Sequence, residues 1–162
     1  MSRPTGRQPN LTNGLRDTSL AMLGQEISMV RIILGVIGGF IVWGLEWFGM
    51  ERFISIFWPA FAAHQTAFQD AIEHGSPFTP DSTILLVHVV LAALASLISG
   101  LLAALIAGEN KLAPLIVGVL LLAVGLMKAA MSWPYVPIWY HVLFTAVLLP
   151  MAVIGGRSKT AN

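Results

Sequence analysis

Apolar residues dominate the second half of the chain, from Ser82 to Gly156, and only two short segments interrupt them, at 108–111 and 133–137. Each of the three apolar segments that result is long enough to cross a bilayer core of about 30 Å as an α-helix, at about 1.5 Å per residue. An earlier apolar segment has the same character. The pattern predicts an all-α, four-helix transmembrane bundle with spans at about 32–50, 83–107, 112–131 and 138–156.

A segment of mixed character, 51–81, separates the first two predicted spans. Apolar residues recur in it at helical spacings of four, seven and four, and Pro59 and Gly75 suit the start and the end of a helix. Asp81 or Ser82 can cap the helix that follows. We therefore expect an interfacial amphipathic helix whose apolar face carries Phe57, Phe61, Phe68 and Ile72.

Both ends of the chain are polar. Residues 1–18 are rich in Pro, Gly, Asn, Thr and Arg, which cannot bury enough apolar surface to fold alone, so we expect a flexible tail there. Residues 20–31 have one apolar and one polar helical face, which predicts a short amphipathic helix at the membrane surface. A short polar tail, 158–162, follows the last span, and one four-span domain occupies 19–157.

Basic residues set the expected orientation. An even number of spans places both termini on the same side of the membrane, and Arg52 stands alone among the basic residues of the opposite side. The positive-inside rule then predicts cytoplasmic termini and an outward-facing 51–81 segment. The basic residues on the cytoplasmic side are Arg3, Arg7, Arg16, Arg31, Lys111, Arg157 and Lys159.

The composition agrees with membrane integration and excludes several functions. Of the 162 residues 56% are hydrophobic and 10% are charged, and the mean hydropathy is +0.78; charged residues make up about a quarter of an ordinary soluble domain. Basic residues are few and form no stripe with aromatic residues, which argues against nucleic-acid binding. Without cysteine, the chain has no disulfide, no thiolate metal site and no iron–sulfur cluster.

Small residues recur at helix-packing intervals in two of the predicted spans. Gly35 and Gly39 form a G-x-x-x-G pair, which lets the backbone of another helix approach closely. In the second predicted span, Ser96, Gly100 and Ala104 form a stripe with the same spacing. We therefore expect the second span to occupy the closely packed centre of the bundle.

Four ionisable side chains lie inside the predicted spans, namely Glu46, His88, Lys128 and His141. With the predicted orientation they share one layer, roughly 5–8 Å below the outer surface. A charged group in a span normally faces the bundle interior or a partner, and Glu46 with Lys128 is the obvious ion pair. A lock that holds the helices in register is favoured over a functional site.

Three functional alternatives for this polar layer stay open. His88 and His141 have the matched depth that a bis-histidine haem requires. A metal held by these histidines and Glu46 is less favoured, because Lys128 would oppose the cation. Titratable side chains could also line a proton or solute path, although few polar residues lie deeper. No H-E-x-x-H, Walker A or G-x-S-x-G motif occurs, so neither an enzyme nor a bound metal or cofactor is predicted.

A few short motifs add a resemblance. The run Pro137-Ile138-Trp139-Tyr140, then Pro150 and Gly155-Gly156-Arg157, together with Glu46 and Gly49, resembles small uncharacterised bacterial inner-membrane proteins with four predicted spans. Many of these carry Pro-His-Pro before the Trp, where this chain has Tyr135-Val136-Pro137 and its histidine at His141. The resemblance implies a fold and a location, and no activity.

We interpret the chain as a non-catalytic multi-pass protein of the bacterial inner membrane, and as an accessory or structural subunit of a larger membrane complex. The lipid bilayer, other membrane proteins or further copies of the chain are the expected partners. The alternative is a small transporter or proton-linked channel that uses the layer of Glu46, His88, Lys128 and His141.

Overall fold

A computed structural model of the protein describes residues 11–108 and 110–158. In this part of the chain it contains five helices: α1 (Leu11–Phe57), α2 (Pro59–His74), α3 (Ser82–Ile106), α4 (Leu112–Ser132) and α5 (Ile138–Arg157). Four stretches, within α1, α3, α4 and α5, are long and apolar enough to cross a membrane. Large apolar side chains cover their outward faces, as contact with lipid requires. These features indicate a multi-pass membrane protein.

The first helix is longer than the sequence pattern suggested. α1 has 47 residues, about 70 Å at about 1.5 Å per residue, and runs without a break through the predicted surface helix, the predicted span and the residues after it. The part of the expected flexible tail from Leu11 onward is helical, whereas residues 1–10 and 159–162 lie outside the described residues. No proline occurs between Leu11 and Pro59, so the charged pair Glu51 and Arg52 does not end the helix.

The second helix begins and ends at the residues that the sequence indicated. Pro59 occupies the first turn of α2, and Gly75 closes the helix with φ +70°, its N–H bonded to the Ala71 carbonyl at 2.9 Å. Asp81 then caps α3, because its carboxylate accepts hydrogen bonds from two backbone N–H groups at 2.8 and 3.1 Å. Phe57 belongs to α1 rather than to α2, and it is exposed.

The third helix forms the centre of the bundle and packs most extensively against α5 and α1. Gly100 of α3 contacts the backbone of Ala152 in α5, and Gly155 of α5 contacts the backbone of Leu97 in α3. Neither glycine leaves room for a methyl group. The two backbones are therefore in direct contact where Leu97 and Gly100 of α3 meet Ala152 and Gly155 of α5.

The first helix joins this centre through its own glycines. Gly35 lies against Ala103 and Ala107 of α3, where an added Cβ would come within 2.6 Å of the Ala103 carbonyl oxygen. The Ser99 hydroxyl donates a 2.7 Å hydrogen bond to the Gly39 carbonyl oxygen. Because α1 and α3 approach so closely, a small donor on one backbone reaches an acceptor on the other.

The bundle thus has two halves of different character. In one, α3 ends, α4 begins and the turn at Gly108 connects them; we call it the Gly108 half, and small residues fill it. In the other, α1 ends, α2 packs across, and α3 and α5 begin; we call it the α2 half. Every ionisable residue that the sequence placed in the spans lies in the α2 half.

Candidate functional site

Trp47 of α1 lies at the centre of the α2 half. Its ring contacts the His88 ring at 6.0 Å and, edge to face, the Phe144 ring at 5.6 Å, both between ring centres. The Lys128 ammonium lies 4.8 Å from the centre of the same ring. One aromatic side chain of α1 therefore contacts polar side chains of both α3 and α4.

The acidic partner in this site is Glu51. Its Oε1 lies 3.6 Å from Nε2 of His88, and the two side chains are 19% and 5% exposed. Lys128 of α4 and Tyr140 of α5 are close enough to interact electrostatically with the same carboxylate. Residues from four helices thus meet around one carboxylate.

Hydrogen bonding assigns the proton on His88. Its Nδ1 lies 2.8 Å from the Ile84 carbonyl oxygen, which can only accept, so Nδ1 carries the hydrogen. In the neutral ring, Nε2 then presents a lone pair to Glu51. An ionised Glu51 would face that lone pair with a second acceptor, so the contact is favourable when the pair holds one additional proton.

The α2 helix covers this pair. The Phe61 ring stacks on the His88 ring with centres 4.9 Å apart and planes 13° apart, and Phe61 is fully buried. One residue, Trp58, separates α2 from α1. The aromatic cover and the carboxylate therefore belong to neighbouring segments that are connected almost directly.

His64 of α2 ties the cover to the start of α3. Its Nε2 accepts a hydrogen bond of 3.1 Å from the Asp81 backbone N–H, which requires an unprotonated Nε2. Burial lowers the pKa of His64 and so does the nearby His88, whereas Asp81 acts in the opposite direction. The backbone N–H groups of Ile84 and Thr83 lower the pKa of Asp81. At neutral pH the structure thus has a neutral His64 beside an ionised cap.

His141 lies at the edge of this region. Its ring stacks on Trp133 at 5.0 Å, with planes 14° apart, and its buried Nε2 has no hydrogen-bond partner among the described residues. A cavity of about 20 Å³ adjoins His141, Lys128 and Tyr140, enough for one water molecule. Ring contacts from Tyr140 to Phe144 and from Phe144 to Trp47 connect His141 with the His88 region.

The structure separates Glu46 from the partner that the sequence suggested. Within residues 11–108 and 110–158, Glu46 forms no ion pair with Lys128, and its buried Oε2 has no hydrogen-bond partner. The expectation of a Glu46–Lys128 ion pair is therefore wrong. Glu46 precedes Trp47 and lies about 100° from it around the helix, whereas Glu51 follows Trp47 by about one full turn and shares its face.

The spacing of residues along α1 could have identified Glu51, but the predicted end of the first span excluded this residue. Residues that contact the bundle recur every four positions along α1: Gly35, Gly39, Trp43, Trp47 and Glu51. Ending the first span near residue 50 assigned Glu51 to a connecting segment. Continuing the four-residue interval by one step would have placed its carboxylate on the bundle face.

The two histidines of the haem and metal alternatives have separate contacts in the structure. Nε2 of His88 faces Glu51, and each imidazole is stacked on an aromatic side chain, Phe61 or Trp133. Shared haem ligation would require both ring nitrogens to point toward one iron. Among the described residues, no three of the His, Asp and Glu side chains are grouped closely enough to hold a metal ion.

A polar cleft of about 540 Å³ opens between the end of α1 and α2. Glu51 forms part of its wall and thus connects the cleft with His88. The other lining residues are Phe48, Arg52, Ser55, Gln65, Thr66, Gln69, Asp70 and Glu73. On the far wall, Asp70 pairs with His74 at 3.1 Å, and both side chains are exposed.

Comparisons with known proteins leave the site to be interpreted from its own geometry: no protein-family model, no curated protein and no solved structure matches the chain.

Proposed function

We propose that this protein is a non-catalytic subunit of a membrane assembly, and that α1 provides the contact with its partners. The observation that carries the proposal is the position of α1. Within their most apolar stretches, 11% of the residues of α1 are buried in the bundle, against 50% of those of α3. The longest helix of the described chain is thus the least covered of the four.

Two glycines on α1 support a protein partner rather than lipid alone. An added Cβ at Gly44 or at Gly49 would meet nothing within 4 Å. A glycine in a helix interior destabilises it by about 1 kcal/mol relative to alanine, and neither of these glycines is needed for packing inside the chain. A second helix that approaches α1 closely would account for both.

The orientation belongs to the same proposal. With four crossing helices, the termini share one side of the membrane, and the basic residues near them favour the cytoplasm. α2 then lies at the outer surface of a bacterial inner membrane, as an interfacial helix over the ends of the spans. The partner that contacts α1 is a membrane protein or a second copy of this chain.

The test compares the size of the assembly before and after one substitution on α1. Purified in mild detergent, the native chain is expected to elute with associated chains, measured by light scattering and mass spectrometry. Gly44→Leu should weaken that association by about tenfold or more, because the larger side chain keeps the partner backbone away. Ala123→Leu, a matched change on the exposed face of α4, should leave the association intact. A native chain that remains a single, unaccompanied copy contradicts the proposal.

The rival proposal is a small transporter or proton-linked channel, and the Glu51–His88 pair is the observation in its favour. Against it, the Gly108 half is closed by backbone contacts at Gly35, Gly100 and Gly155. In that half the Ser99 hydroxyl is already bonded to the Gly39 carbonyl. Proton flux into proteoliposomes decides between the two, because a channel should lose its flux in Glu46→Gln plus His88→Gln, and a subunit has none to lose.

A further inference from the structure

The Glu51–His88 pair combines three properties that no other pair in the described chain shares. It joins α1 to α3 at 3.6 Å, it is largely buried, and the ring of His88 is also the surface on which α2 rests through Phe61. The Asp70–His74 pair has similar chemistry, but it lies within α2 and is exposed. A change of protonation at the Glu51–His88 pair therefore affects contacts of α1, α2 and α3. A change of protonation at the Asp70–His74 pair affects α2 alone.

We propose that one proton shared by Glu51 and His88 holds α2 closed over the end of the bundle, and that loss of this proton releases α2. The occupant of the site is a proton, and the moving part is the segment from Glu51 to Gly75. This inference does not depend on the proposed partners of α1.

With the proton bound, each contact of His88 is favourable. Nδ1–H donates to the Ile84 carbonyl, and a second proton on Nε2 faces the Glu51 carboxylate across 3.6 Å. A ring that carries positive charge is attracted to the faces of Phe61 and Trp47, which are centred 4.9 and 6.0 Å away. The protonated pair therefore strengthens the attachment of α1 and of α2 at the same time.

Without the proton, the same geometry becomes unfavourable. The carboxylate of Glu51 faces the lone pair of Nε2 with nothing to donate between them. The attraction between His88 and Phe61 loses its charge. Because only Trp58 separates α2 from α1, a movement of Glu51 toward the polar cleft takes α2 with it.

Charged and titratable groups from each packed helix surround the pair and set its balance. Lys128 of α4 lies close enough to interact with Glu51, so the carboxylate keeps one cationic neighbour after the proton leaves. Tyr140 of α5 also faces Glu51, and His64 of α2 opposes positive charge on His88. Lys128 also keeps Glu51 from becoming an isolated buried charge when the proton is lost. We therefore expect the loss of the proton to release α2 and nothing more.

The absence of cysteine allows a direct measurement of this opening. Ala71 of α2 is fully buried and Ala63 is exposed. A cysteine at Ala71→Cys is therefore accessible to a reagent only when α2 moves away from the bundle, and a cysteine at Ala63→Cys is the exposed reference on the same helix. The rate at which a water-soluble maleimide labels each is measured in nanodiscs. Their ratio removes the intrinsic pH dependence of thiol chemistry from the comparison.

The labelling ratio of Ala71→Cys to Ala63→Cys should rise by about tenfold between about pH 6 and about pH 8.5, because the attraction between a charged His88 ring and Glu51 is lost. Glu51→Gln should keep the ratio low at both pH values, because its amide donates to Nε2 and does not titrate. Asp70→Asn removes the exposed Asp70–His74 pair and should show the same rise in labelling ratio as the native background. His64→Gln should also retain the rise.

Three results would overturn the inference. The first is a labelling ratio that does not change with pH in the native background, and the second is a rise that persists in Glu51→Gln. The third is a rise that disappears in Asp70→Asn or in His64→Gln, which would assign the titration to another group. If Ala71→Cys disrupts folding, amide exchange of 59–74 relative to the exposed segment 24–30 of α1, in a chain without cysteine, gives the same comparison.

Discussion

The Gly108 half and the α2 half solve the same packing problem in different ways. In the Gly108 half, Gly35, Gly100 and Gly155 bring helix backbones into contact, and an inter-helix hydrogen bond from the Ser99 hydroxyl supplements them. In the α2 half, Trp47 and Phe61 keep the helices further apart and enclose a carboxylate and a histidine. Backbone contact has one best geometry, whereas a titratable cluster has one for each protonation state. The proton-dependent change that we propose is therefore confined to the α2 half.

The largest expected effect lies in the Gly108 half. Gly100→Leu should destabilise the bundle by about 3 kcal/mol or more, because its side chain would occupy the position of the Ala152 backbone in α5. Gly44→Leu, a change of equal size on the open face of α1, should leave the stability of the isolated bundle within about 1 kcal/mol. Unfolding in mixed detergent micelles measures both. Equal losses for the two variants would show that α3 and α5 are not in backbone contact.

A smaller effect is expected from the central aromatic residue of the α2 half. Trp47→Leu removes ring contacts with His88 and Phe144 and the support under Lys128, and should destabilise the bundle by about 2 kcal/mol. Phe48→Leu, at the next and exposed position, should change stability by less than about 0.5 kcal/mol. Thermal unfolding in one detergent gives the comparison. Similar values for the two would remove Trp47 from the centre of the site.

Loss of the inter-helix hydroxyl bond should cost less again. Ser99→Ala removes the donor to the Gly39 carbonyl, and such bonds between membrane helices average about 0.6 kcal/mol, with a maximum near 1.7 kcal/mol. Ser55→Ala provides the control, since the Ser55 hydroxyl bonds to the Glu51 carbonyl within its own helix. The same unfolding measurement applies. A larger loss at Ser55 than at Ser99 would show that the inter-helix bond contributes little.

The smallest effect concerns His64 at acidic pH. The pKa of His64 is lowered from its ordinary value of 6.5 in the folded protein, so the folded state binds fewer protons than the unfolded one. The stability that His64 contributes is therefore present above about pH 6.5 and is lost as the pH falls through the folded pKa. Because the side chain is partly exposed, the loss should be about 0.5 kcal/mol.

His64→Gln should abolish that acid-side loss, and His74→Gln, on the exposed face of the same helix, should not. Amide exchange of 59–74 in a Glu51→Gln background, corrected for the intrinsic pH dependence of exchange and compared at about pH 7 and about pH 5, measures both changes without the opposite effect expected from the Glu51–His88 pair. An acid-side loss that persists in His64→Gln would show that another group, such as Asp81, is responsible.

Much of the fold followed from local features of the sequence. The number of spans and the turns at Gly75 and Gly108 reflect apolar length and glycines that adopt positive φ. The start of α2 at Pro59 and the Asp81 cap follow from equally local chemistry. The length of α1 could not be predicted in this way. Polar residues suggested that the helix begins and ends near the span, but they do not interrupt a helix as a proline would. The site was predicted in part. The sequence pattern identified His88, Lys128 and His141, but it indicated Glu46 as the acidic residue where the structure has Glu51.

The sequence alone determined which segments enter the membrane and where the chain turns, because span length, glycine and proline act within a few residues. Only the tertiary structure decided which carboxylate meets His88, since that depends on the rotation of α1 about its own axis and on how far the helix continues. The same rotation places Gly35 and Gly39 against α3 and leaves Gly44 and Gly49 uncovered. A helix repeats every 3.6 residues, so Glu46 and Glu51, five positions apart, lie on different faces of α1.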